Sequence, residues 1–296
     1  MASQEKRRII LLAGPTASGK SAIAGRWAER VGGAVINADS MQVYADLRIL
    51  TARPAPQDEG RVPHHLYGHV DGADVYSVAR FTVDMAALLQ ALPLGQPLIL
   101  VGGTGLYLQA LVSGLSEVPP VADDVRGLWR ARGETLDAAE LHRELAARDP
   151  LIAGQVRPSD RQRILRALEV IDATGRSLLS WQQAAGTPLI PDAERYCLVP
   201  DRAELRERIA YRFQAMIDEG ALAEVEALAA RRLDAAAPVM KAIGVAPLAA
   251  HLRGEVSLAA AVERAITDSR QYAKRQQTWL RNRFADWPVL GGEIPL

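Results

Sequence analysis

The apolar positions of this chain fall into two registers. Residues 9–13 form an unbroken apolar run, 97–101 hold another, and 34–38 (AVINA) a third interrupted by Asn37; such runs predict strands covered on both faces within a parallel sheet. Between them the period lengthens. Ala22, Ile23, Trp27 and Val31 recur at helical spacing until Gly32 and Gly33, and residues 81–92 repeat the pattern ahead of the third run,. Each run ends in a polar loop: the glycine loop from Gly14, the segment at Asp39, and GGTGLY at 102–107. Strand, loop and helix alternate as in a doubly wound α/β domain, which binds its ligands beyond the carboxyl ends of the strands.

From Glu117 the pattern changes. EVPPVADD reads as a linker, and the segments after it are helical, rich in Arg and Glu, with no strand pattern among them. In RPSDRQRILRALEVIDATG, Ser159 and Gln162 have the spacing of a capping box; Ile164, Leu165, Leu168 and Ile171 share a face, and Arg163 and Arg166 lie opposite,. The sheet pattern returns at RYCLVP (195–200). A helix follows, capped by Asp201 with Glu204 and ending near Gly220, and the Ala-rich stretch 221–237 predicts a further helix. The expected fold is α/β, a P-loop NTPase-like parallel sheet flanked by helices. Its core would come from 1–116 and 190–296, with an inserted all-helical domain at 117–189.

Composition narrows the class. The 296 residues are 49% hydrophobic and 24% charged, as in an ordinary globular protein, and no segment approaches the roughly 18 apolar residues of a membrane span. The basic opening MASQEKRR precedes an apolar run too short for a signal peptide, and that run reads better as the first strand. The lone Cys197 excludes an internal disulfide framework and a thiolate metal cluster. It reads as a buried strand residue and makes a reducing, cytoplasmic setting the expectation,. Lys plus Arg (35) balance Asp plus Glu (35), so any affinity for nucleic acid must come from local patches.

The sharpest signal is Gly14, Pro15, Thr16, Ala17, Ser18, Gly19, Lys20 and Ser21, a complete G-x-x-x-x-G-K-[ST] between a strand and a helix,. Backbone N–H groups and a helix N-terminus would hold oxygens of a di- or triphosphate, Lys20 would add a point charge, and Ser21 would be a ligand for Mg²⁺. An NTPase also needs an acid at the end of another core strand, whereas the third run ends in Gly102-Gly103-Thr104. Asp39 is the strand-end carboxylate near the loop. It suits a metal ligand, a general base, or the N-cap of a following helix. The Thr104 hydroxyl is placed to bond a bridging or leaving oxygen. Arg212, with Arg208 on the same helix, either reaches a pyrophosphate or lies solvated on the surface. Near the C-terminus, RQYAKRQQTWLRNR (270–283) carries five basic and no acidic residues with Tyr272 and Trp279 among them. This suits phosphate contacts and base stacking, or a solvated helix with Trp279 in the core. Tandem His64-His65 points in two directions with no completing ligand, so loop structure is expected there and no metal.

Seven stretches, in order, resemble one family: GPTASGKS, NADSMQVY (37–44), TARP (51–54), PHHL (63–66), VGGTGLYLQAL (101–111), QRILRALEV (162–170) and KRQQTWLR (274–281). Together they resemble the tRNA dimethylallyltransferases, also called tRNA delta(2)-isopentenylpyrophosphate transferases. The resemblance implies transfer of a dimethylallyl group from dimethylallyl diphosphate to N6 of adenosine 37 in tRNAs reading codons that begin with U. By it, Asp39 would be the base, Thr104 would stabilise the bridging oxygen, and Lys20, Ser21, Mg²⁺ and Arg212 would take up the pyrophosphate charge. Contacts to the tRNA anticodon stem-loop would come from Asp39, Ser40, Met41 and Gln42; from Thr104 and, by spacing alone, Arg126; and from the helical insertion through Gln162, Arg163, Ile164, Leu165 and Arg166. The basic helix would add Lys274, Arg275, Gln276, Gln277, Thr278, Trp279, Leu280 and Arg281. The implied protein is a monomer with no membrane partner. The chain departs from the family pattern at Leu50 (usually glycine), Arg53 (often lysine) and Val245 (expected tyrosine). Competing readings are a P-loop small-molecule kinase, a cytokinin-type transferase acting on free adenylate, and a non-catalytic RNA-binding protein.

Overall fold

The computed structural model describes residues 7–184 and 186–295, so the start of the basic opening, 1–6, lies outside the described residues. The chain divides into two compact units, one from residues up to 112 together with those from 189 onward, the other from 113–188.

The first unit is built on a five-stranded parallel sheet of order β3-β2-β4-β1-β5. Its strands are β1 (Ile9–Ala13), β2 (Ala34–Asn37), β3 (His64–His65), β4 (Leu98–Gly102) and β5 (Glu194–Cys197). The three apolar runs become the three inner strands because both faces are covered. Successive side chains alternate: Leu11, Ala13, Ile36, Leu98 and Leu100 enter one apolar cluster, and Ile10, Leu12, Val35, Ile99 and Val101 the other. The edges tolerate polar residues. At one edge Arg8 grips Glu194 through two nitrogens at 2.6 and 3.0 Å; at the other His64-His65 forms a short strand where a loop was expected, its two rings on opposite sides of the backbone,. Cys197 is buried in β5, as expected.

Helix α1 (Lys20–Val31) follows β1, α2 (Pro56–Glu59) precedes β3, and α3 (Val78–Ala91) leads into β4, which is followed by α4 (Gly105–Ser113). The adjacent strands β1 and β4 send their helices to opposite faces: Ala24, Trp27 and Ala28 of α1 join the cluster of Ile10, while Tyr107, Leu108 and Leu111 of α4 join that of Leu11. Such divergence leaves a crevice at the strand ends, where open α/β sheets bind ligands.

The unit at 113–188 contains α5 (Asp123–Thr135), α6 (Ala138–Arg148), α7 (Pro150–Ala153), α8 (Arg161–Thr174) and α9 (Leu178–Gln183) around its own core of Trp129, Leu141, Leu145, Ile164 and Leu168. The N-cap of α8 is Asp160, whose Oδ1 accepts from Arg163 N–H at 3.3 Å, not Ser159. Its carboxylate serves as well as a serine and sits one residue later.

The first unit resumes with β5, then α10 (Arg202–Asp218), α11 (Ala221–Ala230), a 3₁₀ turn at Pro238–Lys241, α12 (Val245–Leu252) and α13 (Leu258–Arg283). Asp201 caps α10 through Ala203 and Glu204 N–H. The helix expected through 237 stops at Ala230, and Arg232 takes a left-handed φ of 52°. The basic stretch 270–283 is the second half of α13, whose buried Ala261, Ala265, Ser269, Ala273, Gln276 and Leu280 form one inward stripe,.

Candidate active site

Gly19 closes the loop after β1 with φ 87°, a left-handed conformation open to glycine, and caps α1 without any side-chain bond,. The N–H groups of the first turn therefore face outward uncapped, a ready anion site. Ser18 is buried, and its Oγ lacks a hydrogen-bond partner, so the loop holds an unspent polar atom. Lys20 folds back to donate to Pro15 O at 3.2 Å. Burial pulls its pKa down to about 8, against the attraction of Asp39, with nearby Arg212 adding to the depression. The Arg212 pKa is also lowered by burial, opposed by Asp39. Arg212 donates to the Thr16 hydroxyl, so its side chain lies against the loop.

Asp39 follows β2 without capping any helix. Its Oδ1 accepts from Met41 N–H at 3.0 Å in an Asx turn,, and its backbone is held on both sides by Asn37: Asp39 N–H donates to Asn37 Oδ1 at 2.8 Å and Asn37 Nδ2 donates to Asp39 O at 2.9 Å. Asn37 is fully buried, so this clamp is rigid. Asp39 faces Lys20, Ser21 and Arg212 across a cavity of 350 Å³ that also takes in Gln42 and Thr51.

Thr104 stands at the end of β4. Its hydroxyl accepts from Ser40 N–H at 3.0 Å and donates to Ser40 Oγ at 3.2 Å, so the loops after β2 and β4 are joined beside Asp39. Gly102 makes the approach possible, since a Cβ there would lie 2.0 Å from Ala38 O. The Tyr272 hydroxyl bonds Thr104, and burial followed by the charge of Asp39 raises its pKa. Tyr67 and Tyr107 are raised by the same causes, Tyr107 also by Tyr44 and Tyr67 also by Glu59. These phenols lie inside or beside the quoted motifs, but spacing alone carried no sign that they converge on Asp39.

The residues expected on RNA separate into two sets. Gln162, Arg163, Lys274, Arg275 and Thr278 are exposed, and Gln277 and Arg166 partly so. Arg281 is exposed, and with Lys274 and Arg202 it borders an apolar cavity of 560 Å³ closed by Phe284 and Trp287. Arg126 pairs with Asp123 at 3.0 Å within the helical unit. Ile164 and Leu280 are instead core side chains, 0% and 6% exposed, and Gln276 is buried with both ends of its amide engaged. None of these three presents its side chain to a partner, because neighbouring residues on a helix point about 100° apart. Leu165 lies over Gly133, Gln42 holds the Thr51 and Ala52 carbonyls at 2.8 and 2.9 Å, and Trp279 packs on Gly105 and edge-on to Phe284. The Trp279 ring thus belongs to the core side of α13. Of the three departures from the family pattern, Leu50 and Val245 are buried and Arg53 donates to Ala45 O at 3.0 Å.

A glycine loop at a β1/β4 crevice, two desolvated cations and a clamped carboxylate facing them define a P-loop-like α/β protein. The model of the IPP transferase family matches residues 42–283, and that of the isopentenyl transferases matches residues 7–62. A tRNA dimethylallyltransferase of Methylobacterium radiotolerans is 56% identical over 279 residues, covering 94% of this chain and 90% of the relative. One of Azorhizobium caulinodans is 53% identical over 281 residues, with 94% and 90% covered. The crystal structure of the tRNA isopentenylpyrophosphate transferase of Bacillus halodurans superposes with TM-score 0.67 at 32% identity, covering 96% of this chain and 90% of that one. A eukaryotic dimethylallyltransferase captured acting on tRNA gives TM-score 0.80 at 28% identity, covering 96% and 74%. The chain belongs to the IPP transferase family.

Proposed function

We propose that this protein transfers a dimethylallyl group from dimethylallyl diphosphate to N6 of adenosine 37 in tRNAs that read codons beginning with U, releasing pyrophosphate. The observation that carries the reading is the cavity in which Asp39 faces Lys20, Ser21 and Arg212, while among the described residues β4 ends in Gly102-Gly103-Thr104, without the acid an NTPase would need there,. The base N6 attacks the first carbon of the allyl group; the N–C bond forms, the C–O bond breaks, and its electron pair leaves on the diphosphate. Asp39 takes the N6 proton. The uncapped N–H groups of α1, with Lys20 and Arg212, hold the charge that grows on the leaving group, and the Thr104 hydroxyl, turning its one proton away from Ser40 Oγ, donates toward the bridging oxygen. The target base must leave the anticodon stack to reach this cavity.

Among the described residues no cluster of three His, Cys, Asp or Glu could hold a metal. Ser21, exposed at the start of α1 on the wall of this cavity, fits Mg²⁺, which keeps waters and ligand oxygens around one or two protein donors,. Bound there, Mg²⁺ would neutralise diphosphate charge. No described helix is long and apolar enough to cross a membrane. The protein would act in the cytoplasm as a monomer, with the anticodon stem-loop of tRNA as its partner. Incubation with labelled dimethylallyl diphosphate, Mg²⁺ and undermodified tRNA is expected to label tRNA. Label on free AMP would indicate the cytokinin-type reaction, and hydrolysis of ATP without prenyl transfer a kinase-like one.

A further inference from the structure

The loops after β1 and β4 leave neighbouring strands, paired through Ala13 and Gly102, yet their helices go to opposite faces of the sheet. One side chain spans the gap. Gln276 Oε1 accepts from Thr16 N–H at 2.8 Å, and its Nε2 donates to Gly103 O at 3.0 Å. The bond to Gly103 is buried and that to Thr16 partly so, with Gln276 itself 6% exposed on the inward stripe of α13. The opposite loop is shaped to admit it: a Cβ on Gly103 would lie 2.1 Å from Gln276 Nε2 and 3.3 Å from Gly14 O. Contacts then run without a break from Thr16, which Arg212 also holds, through Gln276 to Gly103, on to Thr104, and from Thr104 to Ser40 beside Asp39.

We propose that Gln276 is a positioning residue that ties the phosphate loop to the Gly103–Thr104 loop and so sets the spacing between leaving group and base, instead of contacting tRNA as its motif implied. The inference rests on the reading of loop 14–21 as the cradle of the leaving diphosphate. An amide suits the task because it offers an acceptor and a donor at once, one for each loop. Losing both leaves the buried Gly103 carbonyl and the part-buried Thr16 N–H without this partner and frees the loops to shift, and a misplacement of about 1 Å can cost about 100-fold in rate.

The test compares the full-length protein with Gln276→Met, which keeps shape and loses both bonds, and with Gly103→Ala, which displaces the amide from the other side. The expected result for both is a kcat lower by about 100-fold with the tRNA KM within about threefold of wild type. If Gln276→Met fails to fold, judged by its melting curve, Gly103→Ala carries the comparison. A kcat within about threefold of wild type, or a loss carried by the tRNA KM at unchanged kcat, overturns the proposal. A wild-type protein that does not prenylate tRNA sinks the functional reading separately. The tie is then judged by calorimetric titration with inorganic pyrophosphate, where about tenfold weaker binding by Gln276→Met supports it and equal binding overturns it.

Discussion

Asp39 and Lys20 show how burial turns common side chains into reagents. Asp39 is clamped through its backbone by a buried asparagine whose amide also donates to Leu66 O at 2.9 Å, and its Oδ1 accepts from Met41 N–H, so its carboxylate is oriented before any ligand arrives. Asp39→Ala is expected to lower kcat by about 10³-fold while tRNA affinity, measured by filter binding, stays within a few-fold; unchanged turnover would remove it from the base role. Lys20 has its pKa drawn down to about 8 by burial. A bound pyrophosphate favours the charged form, so the pKa rises on binding. Below pH of about 8 the ammonium is already charged, whereas above it binding must take up a proton, weakening affinity by up to about tenfold per pH unit,. Calorimetry should therefore show wild-type affinity falling relative to Lys20→Arg, whose charge persists, as the pH is raised through that value. A constant ratio would contradict the desolvated lysine.

Among elements, the helices carrying the RNA motifs were legible as helices, but their two faces were not separated. A motif is a run of consecutive letters, and a helix sends those letters around its whole circumference. In QRILR, Ile164 faces the core while Gln162 and Arg163 face solvent; in KRQQTWLR, Gln276 and Leu280 face inward and Lys274, Arg275, Thr278 and Arg281 outward. Ile164→Ala should cost about 2–5 kcal/mol of stability in the helical unit by denaturant titration. Arg163→Ala should change stability by less than about 0.5 kcal/mol and lower the salt dependence of tRNA binding by about one unit of slope. An exchange of these effects would place Ile164 on the RNA surface after all. The strands were easier: an apolar run buried on both faces needs no phase, and the expected and observed bounds of the three inner strands differ by one residue at most,.

At the scale of the whole molecule, the chain separates into a sheet-based unit and a helical one, each with its own apolar core. Trp129, Leu141, Leu145, Ile164 and Leu168 are all fully buried within residues 113–188, so that segment alone is expected to give a cooperative thermal transition by circular dichroism; a featureless slope would mean that its core is incomplete. Local sequence by itself determined the phosphate loop, the strand runs, the helical insertion and the family, because each depends on neighbours within a turn or two or on motif order along the chain. Only the tertiary structure decided that Arg212 belongs to the loop, that three tyrosines gather near Asp39, and that Gln276 bridges Thr16 and Gly103 from 260 and 173 residues away. The physical reason is one of range: propensity and periodicity act between near neighbours, whereas a buried amide or guanidinium takes whatever partner packing brings within about 3 Å.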